Sequence, residues 1–121
     1  MLKNAGIANV KRCSGNDAYG TAIDLAKWEL EQGMSTDKMG VATINGYWDA
    51  LTGAALCGKN HSVLVLADDY KTQAVDQIMK PNKDSIRSYY IFGGERAVGK
   101  QAASACQSIF ARTTSAMLRA A

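Results

Sequence analysis

Carboxylates, an aromatic pair and a double glycine fall in four short stretches of this 121-residue chain: 14–17, 45–49, 68–70 and 93–96. Among them are Asp17, Asn45, Tyr47, Trp48, Asp49, Asp68, Asp69, Glu95 and Arg96. Several carboxylates held together could do acid–base work or bind a divalent cation. Asp17 and Asp49, however, stand where helix N-caps are expected, and accepting first-turn amides is reason enough for a carboxylate there. Gly93-Gly94-Glu95-Arg96 has the look of a phosphate cradle, since free N–H groups at a helix start attract anions. Neither the dinucleotide fingerprint nor the P-loop lysine spacing accompanies it, and a tight turn with positive φ needs the same glycines. His61, the single histidine, has no nucleophile motif around it and reads as a surface residue. Cys13, Cys57 and Cys106 form no CxxC pair and read as buried free thiols among small or apolar neighbours. These residues support no reaction, and no metal or cofactor is expected.

For the four stretches to meet, the elements between them must return to one edge. Strand and helix alternate in a way that does this. A strand is predicted over 7–13, followed by turn residues Ser14-Gly15-Asn16-Asp17 and a helix to about Gln32. Tyr19, Ala22, Ile23, Ala26 and Leu30 share one face of that helix, with Asp24, Lys27 and Glu31 opposite. Trp28 falls on its exposed or edge-facing side, and Gly33 ends it. A strand over 39–44 leads through Asn45-Gly46 into a helix from Tyr47 or Asp49 to about Cys57. That helix is rich in small residues (Ala50, Gly53, Ala54, Ala55), which permits close approach to a sheet or another helix. The apolar run 62–67 is read as a central strand. A helix over 72–80 should stop at Pro81, and a strand over 86–92 should follow. Residues 98–119 are predicted helical, in one or two segments, burying Ala102, Ala105, Cys106, Ile109 and Phe110. The whole is an α/β domain: a mostly parallel sheet of about four strands with right-handed crossovers and helices on both faces. Ligands of such sheets bind beyond the carboxyl ends of the strands.

Composition narrows the partners. A net charge of +3, from 14 basic and 11 acidic residues, is too small and too scattered for a phosphate-tracking protein, so no nucleic acid is expected. Lys80, Lys83 and Arg87 form only a loose, solvated group. No segment approaches the roughly 18 apolar residues of a membrane span, so no membrane insertion is expected, and the N-terminus carries no apolar signal region. Residues 2–6 read as the last turn of a helix, with Gly6 in the left-handed position that ends one.

Four motifs in order carry a resemblance. They are Gly15-Asn16-Asp17-Ala18-Tyr19-Gly20-Thr21-Ala22, Tyr47-Trp48-Asp49-Ala50-Leu51, Val63-Leu64-Val65-Leu66, and Tyr90-Ile91-Phe92-Gly93-Gly94-Glu95-Arg96-Ala97-Val98. Over about residues 8–110 the chain resembles the cell-wall-binding repeat 2 family of Gram-positive surface proteins. It departs from the family at Ala18, where arginine is usual, and at Trp48, where proline is usual. The resemblance implies a small Rossmann-like or flavodoxin-like three-layer sandwich, with residues 1–121 a single repeat and 1–6 a helix end carried over from a preceding copy. It implies a secreted, surface-layer protein or autolysin part that anchors non-covalently to an anionic secondary wall polymer, as one of several tandem repeats in a trimer-like arrangement. On that reading Asn45, Tyr47, Trp48, Lys59, Gly93, Gly94 and Arg96 are the candidate ligand contacts. Gly15, Asp17, Thr21, Asp49 and Leu51 are structural motif and capping residues. Two alternatives are a repeat that associates mainly with itself, through the small-residue helix and Tyr47, Trp48 and Trp28, and a small-molecule or nucleotide-binding domain.

Overall fold

A computed structural model describes residues 2–110 and 116–120. Four strands, β1 (Ser35–Ala42), β2 (Ser62–Leu66), β3 (Ser88–Phe92) and β4 (Ala116–Ala120), lie in the order β2-β1-β3-β4, and every pairing is parallel. Helix α1 (Ala18–Glu31) precedes β1, α2 (Trp48–Lys59) connects β1 to β2, and α3 (Lys100–Ser108) lies between β3 and β4. The parallel sheet flanked by helices matches the α/β reading of the sequence.

Each strand alternates its side chains between two faces, and the two faces carry different cores. Val63 and Val65 of β2 join Met39, Val41, Tyr89 and Ile91 under Ile23 and Ala26 of α1 and Ala102 and Cys106 of α3. Leu64 and Leu66 turn the other way, to Ala42, Phe92 and Cys57 of α2. Burying one such large side chain contributes about 1.5–3 kcal/mol, so both layers hold the sheet. On the α2 face the helix comes unusually close. A Cβ added to Gly53 would lie 2.4 Å from Phe92 Cδ2, and one added to Gly40 would lie 2.7 Å from Phe92 Cε2. The Phe92 ring thus fits between two glycines, one on β1 and one on α2. Gly53 and Ala50 of α2 face the sheet, whereas Ala54 and Ala55 are exposed.

Helix α1 starts as its sequence requires. Asp17 is extended at the N-cap and accepts from the Gly20 amide at 2.8 Å, and Gly33 follows its end with φ +96. Tyr19, Ile23 and Ala26 are buried as the periodicity implied.

Four expectations need correction. Residues 7–13 form no strand: they have no regular structure and are exposed except for half-buried Cys13. Their alternation is imperfect, and among the described residues no strand lies beside them to complete a ladder. Second, β2 is an edge strand, and β1 takes the central place. An apolar run reports that helices cover both faces of a strand, not how many strands flank it. Third, Pro81 does not stop the third helix. A π-helical turn (Val75–Met79) passes into 3₁₀ turns (Lys80–Ser85), where proline occupies an N-terminal position and Asn82 donates to the Ile78 carbonyl at 2.7 Å. Fourth, the helix predicted over 98–119 is shorter. It ends at Ser108, and Ala116–Ala120 extend as a strand along β3, because edge pairing overrides the helix propensity of alanine. The part of that prediction covering 111–115 lies outside the described residues.

Candidate functional site

The carboxyl ends of β1, β2 and β3 present the loops 43–47, 67–74 and 93–99 beside the N-terminus of α1. Most carboxylates there are turned inward to hold the loops. Buried Asp68 accepts the Tyr19 hydroxyl through Oδ2 and the Tyr70 and Lys71 amides through Oδ1, both at 2.8 Å, closing an Asx turn after β2. Burial alone would raise the pKa of Asp68. The hydrogen bonds from Tyr19, Tyr70 and Lys71, helped by the Lys71 charge, outweigh it and leave the carboxyl below its ordinary range. The Tyr19 phenol is pushed up to about 12 by burial and by its bond to the Asp68 carboxylate. Lys71 pairs with Asp17 and lies 5.6 Å from the centroid of the Tyr19 ring. That pairing, with the Gly20 amide, lowers the pKa of Asp17. Asp69 reaches α3, where Oδ1 accepts the Ala102 amide at 2.9 Å. A Cβ at Gly99 would stand 2.0 Å from the same carboxylate.

Asp49 is not the N-cap that its position suggested. Tyr47 takes that place with no side-chain bond, and Asp49 sits in the first turn of α2. Its carboxylate lies against Gly93, whose φ of +109 and a hypothetical Cβ 2.7 Å from Asp49 Oδ2 both call for glycine. The Gly93-Gly94 turn also closes on itself: the Ala97 and Val98 amides donate to the Gly94 carbonyl at 3.0 and 3.1 Å. Two of the amides a phosphate cradle would need are therefore engaged within the turn.

What faces outward is aromatic and basic. Tyr47 (51% exposed) and Trp48 (65%) pair at 4.1 Å between ring centroids, tilted by 39°. Ile44 and Leu51 extend this apolar strip, so Leu51, expected as a structural position, is exposed at 63%. Asn45 is exposed beside the pair, and its amide donates to Thr43 Oγ1 at 3.1 Å. Gly94, Glu95 and Arg96 are exposed. Lys100 offsets Glu95 at 3.8 Å, while no acidic partner meets Arg96 among the described residues. Lys59 does not join them. It lies at the last turn of α2, next to the start of β2 and hence at the opposite edge of the sheet. Gly15 and Thr21 brace the start of α1: the Gly15 amide donates to Thr21 Oγ1 at 3.0 Å, and a Cβ on Gly15 would strike the Gly20 backbone at 2.4 Å. Of the loose basic group, Lys80 pairs with Asp76 and Arg87 with Asp37.

Sequence reasoning missed the Tyr19–Asp68 and Asp17–Lys71 pairs and the capping role of Asp69. An Asp followed closely by polar residues at a strand end was the available signal, but the partners lie about 50 residues away in sequence. It also missed Tyr70, which is 96% exposed on the same edge.

The fold is a parallel α/β sheet with hydrogen-bonded loops and exposed aromatics at its carboxyl edge. The chain belongs to the Cell wall binding domain 2 (CWB2) family, whose model matches residues 12–103. A solved structure, Cwp6 from Clostridium difficile, has the same fold, with a TM-score of 0.75 at 23% identity. The match covers 89% of this chain and 17% of that one. Among curated proteins no match was found. The chain is therefore a domain of a cell-wall-binding family, as the four motifs indicated.

Proposed function

We propose that the module anchors a surface protein by binding an anionic secondary wall polymer at the carboxyl edge of its sheet, as one of several tandem repeats with a Rossmann-like fold. The observation that carries this reading is the exposed Tyr47–Trp48 pair on the same edge as Arg96, which meets no acidic partner among the described residues, while Asp68 and Asp69 are held by hydrogen bonds within the domain and Asp17 is paired with Lys71. Turning carboxylates away lowers repulsion of an anion, and aromatic faces give area for sugar rings at low entropic cost. Asn45 and the Gly93-Gly94 turn frame the same edge. Lys59 lies at the other edge and would contact only a polymer that wraps the domain. The small share of Cwp6 that the match occupies supports a unit working within a larger protein, where weak single contacts add by avidity.

Retention on purified walls, compared with walls stripped of anionic polymer, tests this. Intact walls should retain the chain and stripped walls should not. Arg96→Gln and Trp48→Ala should each reduce retention several-fold without changing the thermal melt, since both side chains are exposed. Equal retention on stripped walls overturns the reading. Self-association through the Ile44, Tyr47, Trp48 and Leu51 strip is the second reading, favoured by the exposure of those four residues.

A further inference from the structure

Two features of the molecule are left unused by that reading. One is the outer edge of β2, flanked by α1 and α2. A cleft of about 200 Å³ runs along it, lined by Leu25 and Glu29 of α1, Ala54 and Gly58 of α2, and Ser62 and Leu64 of β2. Glu29 projects into this cleft with its pKa raised by burial, and its charge reaches the Cys57 thiol across the edge. No cation pairs with Glu29 among the described residues. The other feature is the segment 7–13, which carries β-branched Ile7 and Val10 and has no strand partner among the described residues. Among the described residues the amides of 8–13 meet no protein acceptor, and Ile7 and Val10 are 46% and 42% exposed. Its own chain holds it away from the edge. The Ser14 amide donates to Asp24 Oδ2 at 2.9 Å and Gly15 packs on Gly20. These contacts direct the segment along the Leu25–Trp28–Gln32 flank of α1, leaving an open groove of about 670 Å³ between them.

We propose that residues 7–13 of one copy pair with the free edge of β2 in a second copy. An antiparallel register with Val10 opposite Leu64 satisfies both features at once. Val10 then covers Leu64 on the α2 face, where the cleft is lined by Ala54 and Gly58. Lys11 falls opposite Val63 on the α1 face, the side that carries Glu29. The ladder supplies acceptors for the segment's amides and removes the open edge, which otherwise templates non-specific pairing. Each chain offers one segment and one edge, so reciprocal exchange closes a two-fold dimer without further contacts. This inference does not depend on polymer binding, because it uses neither the carboxyl edge nor the Tyr47–Trp48 strip.

Directly opposed residues of an antiparallel pair have Cα atoms about 4.5–5.5 Å apart, within disulfide reach. With Cys13→Ser in every chain, Val10→Cys and Leu64→Cys are made separately, mixed and oxidised. The expected product is a covalent heterodimer of the two variants, with sedimentation of the wild-type chain showing a dimer at high concentration. Glu29→Lys should weaken dimerisation about tenfold, the scale of a desolvated charge reversal, and Lys11→Glu in the same chain should restore it. Failure of the mixture to cross-link while both variants keep the wild-type melt overturns the proposal. So does an intramolecular disulfide when Val10→Cys and Leu64→Cys share one chain, which would place the segment on its own sheet.

Discussion

Gly53→Ala should destabilise the domain even though it places alanine in a helix. In an exposed helix interior the change gains about 1 kcal/mol. Here the new Cβ would lie 2.4 Å from Phe92 Cδ2 and 2.7 Å from Cε2 and Cγ. Comfortable carbon contacts are about 3.5–4.0 Å, so the ring would have to retreat by roughly 1 Å. Gly40 stands behind it, with Cys57 and Leu64 closing the sides. Overpacking of this kind costs about 1–3 kcal/mol, leaving a net loss of up to about 2 kcal/mol after the helix gain. For a domain of this size that lowers Tm by up to about 8 °C. Gly58→Ala is the matched control on the same helix, because its added Cβ meets nothing within 4 Å. It should be neutral or raise Tm by a few degrees. Thermal melts followed by circular dichroism measure both, and chemical denaturation gives the free energies. In a Phe92→Leu background the penalty of Gly53→Ala should largely vanish, a coupling of about 1–3 kcal/mol. If Gly53→Ala melts with or above Gly58→Ala, or if Phe92→Leu leaves the penalty unchanged, the close approach of α2 to the sheet has been misread.

Further outcomes follow from the carboxyl edge and the thiols. The folded pKa of Tyr19 is raised to about 12 from 10.0, so its share of stability is complete below pH 10 and is lost as pH climbs through 12; Tyr19→Phe should flatten that alkaline loss. Asp68 has a lowered folded pKa, so its share holds above the ordinary value of 3.8 and disappears as pH falls through the folded value. Tyr19→Phe should also cost about 1.5–3 kcal/mol at neutral pH, the range for a hydrogen bond to a charged group, measured by urea unfolding. Asp69→Ala removes the acceptor for the Ala102 amide and should cost about 1 kcal/mol, with faster hydrogen exchange confined to α3. Burial raises Cys57 to about 11 and Cys106 to about 12, so a thiol reagent at neutral pH should label half-buried Cys13 first and reach the other two only on unfolding.

The helices were the most legible elements. Tyr19, Ile23 and Ala26 recur at helical spacing, and Asp17 and Gly33 mark the ends of α1 with local chemistry that needs no distant partner. The apolar runs at β2 and β3 were legible as strands for the same reason. The candidate site was legible as a set of loops, since alternation of strand and helix returns those loops to one edge whatever the strand order. Which residues in them face outward was not. Asp68 and Asp69 look alike in sequence, yet one accepts Tyr19 and the other caps α3. Lys59 and Arg96 look alike as exposed cations, yet they stand at opposite edges of the sheet.

The sequence by itself determined the α/β class, the four motifs and the absence of catalytic spacing, because periodicity, caps and glycine turns are local properties. Only the tertiary structure decided that β1 is central and β2 is an edge. It alone placed Ala116–Ala120 in the sheet and left residues 7–13 without a strand partner among the described residues. Those outcomes rest on which strand lies beside which, and the free energy of a neighbour is not written in the residues of the strand that receives it.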